Sequence, residues 1–180
     1  MSSRNRIFKR NSYHMKQVLS LLLLLPFFAS AQDTCGIKRS RDPYTKEVRL
    51  STGFISIDNY KVSIDAVAKE IDFFFMLDGS KCFSDAAQVV INFEGSRSKQ
   101  TQRNTGTMNC EGYFHITFRN TPATNFSLQK LATMKVSSFV FKKDKEETMV
   151  MLTADQQVVF QKAVACLIAE AKTLLPPATN

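Results

Sequence analysis

All four cysteines of this 180-residue chain, Cys35, Cys82, Cys110 and Cys166, lie behind an N-terminal apolar run, and that order constrains the fold most. The run extends from Val18 to Phe28, broken only by Ser20 and Pro26, with Lys16 before it and Ala29-Ser30-Ala31 after it. A cation, an apolar stretch and then small residues are what a signal peptidase reads. Pro26 suits helix termination ahead of the cut. Cleavage after Ala31 would start the working chain near Gln32. The run falls short of the ~20 residues that span a bilayer, so a cleaved leader over 1–31 is expected in preference to a membrane anchor. Cys35 follows Gln-Asp-Thr rather than the small residues that precede a lipidated cysteine. Residues 1–14 are a basic preface, either a long leading region or sequence upstream of a start at Met15; the second is favoured.

An even number of cysteines in an exported chain predicts two disulfides, with three possible pairings. No pair has C-x-x-C spacing, which argues against thioredoxin-like redox chemistry and against a zinc ribbon. Pairing Cys82 with Cys110 would close the hairpin-like middle of the chain, and pairing Cys35 with Cys166 would tie the N-terminal segment to the last helix. That combination is preferred; the alternative leaves one pair as buried thiols.

The leader also carries most of the charge. The whole chain has 24 Lys and Arg against 16 Asp and Glu, formally +8. Arg4, Arg6, Lys9, Arg10 and Lys16 precede residue 32 with no acid among them, so 19 bases face 16 acids afterwards, a net of +3. That balance removes most of the case for a nucleic-acid partner. Some 149 residues remain, enough for one domain with its own core. Twelve of the fifteen Phe lie there and supply bulk in a chain without Trp.

Hydrophobic periodicity divides residues 32–175 into short strands and a long helix. Residues 32–46 look irregular, with a turn at Asp42-Pro43-Tyr44-Thr45. Strand patterns follow: Val48 and Leu50 on one side, then Phe54, Ile55 and Ile57 up to a turn at Asp58-Asn59; 60–66; 70–77, with Phe74 and Met76 implying cover on both faces; 88–94; 112–119, with Phe114, Ile116 and Phe118 inward and Tyr113, His115, Thr117 and Arg119 outward; 134–142; and 146–152. Residues 125–132 predict a short helix. Thr153 and Gln156 form a capping box before a helix over 154–175 with Val159, Phe160, Ala163, Val164, Leu167, Ile168, Ala171 and Leu174 at 3.6-residue spacing, stopped by Pro176-Pro177. The expected fold is one α+β domain: an antiparallel β-sheet of about six to eight strands packed by one long C-terminal helix, with 176–180 as a tail.

Asp78-Gly79 and Cys82, the strand ending Phe93-Glu94-Gly95, Asn109-Cys110-Glu111-Gly112-Tyr113-Phe114, the hairpin 134–152 and the helix bearing Cys166-Leu167-Ile168 resemble a group of small secreted proteins of Bacteroidota. The resemblance covers most of 32–170 and implies a fold, an exported location in the periplasm or outside the cell, and a cysteine frame. It implies no activity. Cysteines near the start and in the last helix of such proteins agree with a Cys35–Cys166 bond.

The search for chemistry returns little. His115 is the one histidine after residue 31, set on an outward strand face, so Ser-His-Asp, Cys-His and His-rich metal sites are poorly supported. Nucleotide-binding, nucleophile-elbow, zinc-protease and calcium-loop motifs are absent from the sequence. Asp58, Asp65, Asp72, Asp78, Asp85 and Glu94 could supply a glycosidase-like pair, but most flank turns or alternate outward and are expected to be solvated. The loop 97–103 looks like a soluble, mobile hairpin tip whose Arg97, Lys99 and Arg103 could meet phosphate or acidic sugars. The expectation is a non-catalytic exported binding or structural module for a protein or envelope polymer, with no cofactor, metal or later transmembrane segment. The alternative is a small carboxylate hydrolase acting on an envelope glycan.

Overall fold

A computed structural model of the protein describes residues 35–177. The leader, both candidate starts and residues 178–180 of the tail lie outside the described residues. The described strands are β1 (Lys38–Arg41), β2 (Val48–Ile57), β3 (Tyr60–Ala66), β4 (Glu70–Met76), β5 (Gln88–Phe93), β6 (Lys99–Arg103), β7 (Tyr113–Arg119), β8 (Val136–Lys143) and β9 (Glu146–Met151). The helices are α1 (Phe126–Thr133) and α2 (Ala154–Ala171), the latter continued by a 3-10 turn at Lys172–Leu174.

The α+β class holds, with antiparallel pairing throughout, but the strands divide between two sheets, ordered β1-β2-β3-β4-β7 and β6-β5-β8-β9. The chain leaves the first sheet after β4, builds β5 and β6 in the second, and returns to lay β7 beside β4. Inner faces meet through phenylalanine rings. Phe75 lies 5.1 Å from Phe139 and 5.2 Å from Phe141, Phe114 lies 5.0 Å from Phe141, and Phe160 of α2 reaches Phe139 at 5.5 Å. Most of these rings meet edge to face, the geometry that their quadrupoles favour. The described residues fall in one compact unit.

Two strands escape sequence prediction, and for one reason. Both β1 (KRSR) and β6 (KQTQR) are sheet edges with mostly exposed side chains, so neither needs apolar alternation. Charged edges of this kind also discourage pairing with foreign strands. The expected mobile basic tip at 97–103 is therefore corrected: 99–103 pairs with β5, and the connecting turn spans 94–98.

In β2, Leu50 and Ile57 both face the core although seven residues separate them, an impossible parity for a regular strand. A bulge resolves it. Ser51 pairs with Asp65 and Phe54 with Ser63, so Thr52 and Gly53 together oppose Ile64. Gly53 takes φ +67, where a side chain would be strained, and Thr52 Oγ1 accepts the Ile64 amide at 3.0 Å.

Helix α2 starts at the expected capping box: the Thr153 amide donates to Gln156 Oε1 at 3.0 Å and the Gln156 amide to Thr153 Oγ1 at 3.3 Å. Its buried stripe is Gln157, Phe160, Val164, Leu167, Ile168 and Ala171. Val159, expected in the core, is 53% exposed; Gln157 takes the place and donates to the Leu152 carbonyl at 3.1 Å.

The disulfides are Cys35–Cys166 and Cys82–Cys110, the preferred pairing. Cys82–Cys110 joins the two connections that cross between the sheets, beside a two-way backbone bridge of Phe83 and Asn109 at 2.8 and 3.0 Å. Cys35–Cys166 fastens the lead-in to β1 onto α2.

Candidate functional site

Residues paired directly across an antiparallel sheet share a face, so strand register lays out the outer face of the five-stranded sheet in rows. One row is Ser51, Asp65, Asp72 and Thr117, continued onto β1 by Lys38 opposite Ser51. The next is Phe54, Ser63, Phe74 and His115, and beyond it Ser56, Lys61, Met76 and Tyr113. Each row crosses four strands, ~14 Å at the usual inter-strand spacing.

The first row holds the cross-strand carboxylate pair Asp65–Asp72. Arg49 Nη2 sits 2.8 Å from Asp65 Oδ2, and Ser63 Oγ donates to the same oxygen at 3.3 Å. Asp72 Oδ2 lies 2.9 Å from His115 Nδ1, and Asp72 Oδ1 accepts from Thr117 Oγ1 at 3.2 Å. The Thr105 and Thr117 hydroxyls are 2.7 Å apart and extend the network to the connection before β7. A groove of about 530 Å³ opens beside the pair, bounded among others by Asp42, Glu47, Arg49 and Glu70.

The second row is aromatic. Phe74 stacks on His115 at 4.8 Å with planes tilted 32°, and meets Tyr113 edge-on at 5.2 Å. Phe54 is 59% exposed. Phe74 and Met76 do face away from the core, as β4 predicts, but neighbouring side chains rather than another layer half-bury them.

Two asparagines finish the outer edge of β7. Asn109 Oδ1 accepts the Tyr113 amide at 3.0 Å while its Nδ2 donates to the Tyr113 carbonyl at 3.0 Å, copying a strand partner. Asn104 Oδ1 accepts the His115 amide at 2.9 Å. Gly106 packs on the His115 ring; a Cβ there would come within 2.8 Å of Cδ2. The histidine is thus held by its backbone, its ring face and Nδ1.

The remaining acids scatter. Asp58, Asp78 and Asp85 lie exposed in turns, and Glu94 is exposed 3.7 Å from Lys135. The Ser80 amide, and next its hydroxyl, hold the Asp78 carboxyl below the ordinary aspartate range. Its contribution to that turn is complete at neutral pH and is lost only as pH falls through the depressed value. Asp65 overturns the solvated expectation: it is 8% exposed.

Lys99 and Arg103 share the outer face of the four-stranded sheet with Thr101 between them, ~13 Å apart along the strand. Arg97 sits in the turn before β6, outside the ladder. Replacing all three with serine is expected to advance elution from a dextran sulfate column at low salt. The difference should vanish at several hundred millimolar salt, as screening requires; unchanged elution at low salt would remove this anion surface.

Among the described residues no three His, Cys, Asp or Glu side chains gather as a metal site, and no helix is long and apolar enough to cross a membrane. No protein-family model, curated protein or solved structure matches the chain.

Proposed function

We propose that the protein is an exported, non-catalytic binding module of the periplasm or cell exterior, whose ligand lies across the outer face of the five-stranded sheet. One observation carries the site. Of the twelve phenylalanines after residue 31, nine are buried and Phe54 and Phe126 are exposed; Phe126 stands alone on α1, whereas Phe54 lies in the row that also holds the half-buried Phe74 and His115. Phe54, Phe74, Tyr113 and His115 gather rings on neighbouring rows of one open face, and clustered apolar surface of this kind marks contact sites. Export is supported by the leader-like run at 18–31, with which two disulfides are compatible.

A photoreactive phenylalanine analogue at Phe54, illuminated with envelope material, is expected to give a discrete adduct. The same analogue at Val158, exposed on α2, is expected to give none. Equal labelling at both positions would sink the assignment.

The Asp65–Asp72 pair favours a second reading, a small glycan hydrolase. Carboxyl groups ~5–5.5 Å apart suit a retaining glycosidase, and opposed Cβ atoms on paired strands lie at ~4.5–5.5 Å. Such an enzyme needs one carboxyl to hand a proton to the leaving oxygen and the other to attack. Here both carboxylates are engaged by neighbours in their own sheet, Arg49 and Ser63 on one, His115 and Thr117 on the other. Binding therefore fits better. Asp72→Asn is expected to weaken ligand binding; reducing-end release by the native protein that Asp72→Asn cuts by ~10³-fold or more would establish the hydrolase instead.

A further inference from the structure

We infer that the ligand of this face is an extended polysaccharide with a neutral, hydroxyl-rich backbone; this rests on the outer face being the ligand surface. The first support is how Phe54 comes to be there. Without the bulge at Thr52-Gly53, Phe54 would share the side of Leu50 and point into the core. The bulge turns it to the opposite face, in line with Phe74 and His115. Bulges re-aim side chains in this way next to functional sites.

The second support is the chemistry of adjacent rows. A pyranose ring has an apolar C–H face and a rim of hydroxyls. The exposed ring of Phe54 offers apolar surface for the first, with the half-buried Phe74, stacked on His115, in the same row. The neighbouring row, Lys38, Ser51, Asp65, Asp72 and Thr117, is polar throughout: its hydroxyls donate and accept, its carboxylates accept and its ammonium donates hydrogen bonds to sugar hydroxyls. Arg49 and His115 hold the two carboxylates in place before any ligand arrives, which lowers the ordering cost of binding. An apolar strip set with a few fixed polar groups is the usual make-up of a small-ligand surface.

The third support is charge. By register Lys38, Arg49, Lys61 and Arg119 share the face with Asp65, Glu70 and Asp72, so its charges nearly balance and attract a polyanion only weakly. Of the two basic edges, β6 belongs to the other sheet, while β1 places Lys38 on this face opposite Ser51. A row of ~14 Å crosses four strands, long enough for more than one sugar unit.

The test is affinity electrophoresis of the purified, disulfide-bonded protein. Native gels would be cast with a mixed-linkage glucan, a xylan, a galactomannan or polygalacturonate, alongside pull-down on peptidoglycan sacculi. Retardation in a neutral polysaccharide or retention on sacculi is expected, surviving 0.5 M salt. Phe54→Ala and Asp72→Asn are each expected to weaken it roughly tenfold or more, while Phe54→Trp and Met149→Ala retain it. Phe54 and Met149 are both surface residues, so these variants fold as the native chain does.

Retardation confined to polygalacturonate and abolished by salt would overturn the inference. So would binding indifferent to Phe54→Ala. No binding to any of these polymers, together with a peptide adduct from the photoreactive residue at 54, would overturn the glycan while leaving the face as a ligand surface. No binding and no adduct would remove both.

Discussion

Replacing Cys35 and Cys166 together by serine is expected to lower the unfolding free energy by about 5 kcal/mol, against about 3.5 kcal/mol for the Cys82/Cys110 pair. The difference follows from the loops closed, 131 and 28 residues of sequence separation, because a longer loop gives up more freedom in the unfolded chain. For a domain of this size the first change corresponds to a fall in Tm of roughly 10–20 °C. Denaturant titration of both double-serine variants measures the order. A larger loss from the shorter loop would show that native-state contacts, not loop closure, set the cost. Local structure sharpens the test. Strand β1 is a four-residue edge, exposed throughout, held by β2 on one side and by the covalent lead-in at Cys35. Hydrogen exchange should therefore accelerate selectively over 38–41 in the Cys35/Cys166 variant.

Gly112→Ala is expected to destabilise the protein by about 3 kcal/mol or more, through two effects that act together. Gly112 has φ +75, and a Cβ there would overlap the Asp78 carbonyl oxygen and lie 2.7 Å from its carbon. The obstacle is backbone, which cannot rotate away. It is also pinned: the Gly112 amide donates to the Lys81 carbonyl and the Leu77 amide to the Gly112 carbonyl, both at 2.9 Å. Relief would have to move the crossing that carries Cys82–Cys110. Gly95→Ala is the control. It has φ +67 with nothing within 4 Å of the added carbon, so only the left-handed strain of ~1–2 kcal/mol applies. Thermal melts of the two variants separate collision from strain, and equal losses would remove the collision account.

The outer face was half legible. Residues Lys61 to Met76 fold about the short connection 67–69, where the Val67 amide donates to the Glu70 carbonyl at 2.9 Å. Counting outward from that turn opposes Asp65 to Asp72, so the carboxylate pair was readable as a hairpin register. His115 and Thr117 were readable as outward residues of β7. That β7 lies against β4, about forty residues upstream, was not, because no turn connects them and the two strands β5 and β6 of the other sheet intervene. Arg49 on Asp65 and the bulge that exposes Phe54 lie in the β2–β3 hairpin, where a regular count outward from the Asp58-Asn59 turn misses the register shift between Ser51 and Phe54.

Local pattern alone set seven of the strands, the capping box at Thr153 and the even cysteine count that predicts two bonds. These depend on residues close in sequence, where alternation, caps and turns act without reference to the rest of the chain. Tertiary structure alone decided that the strands form two sheets, that KRSR and KQTQR become edges, and that a row of rings lies beside a row of carboxylates and hydroxyls. Edge strands need no apolar face, and a face shared by four strands exists only once distant strands have found their register. The candidate site belongs to that second class: each of its residues is ordinary in sequence, and the register makes them neighbours.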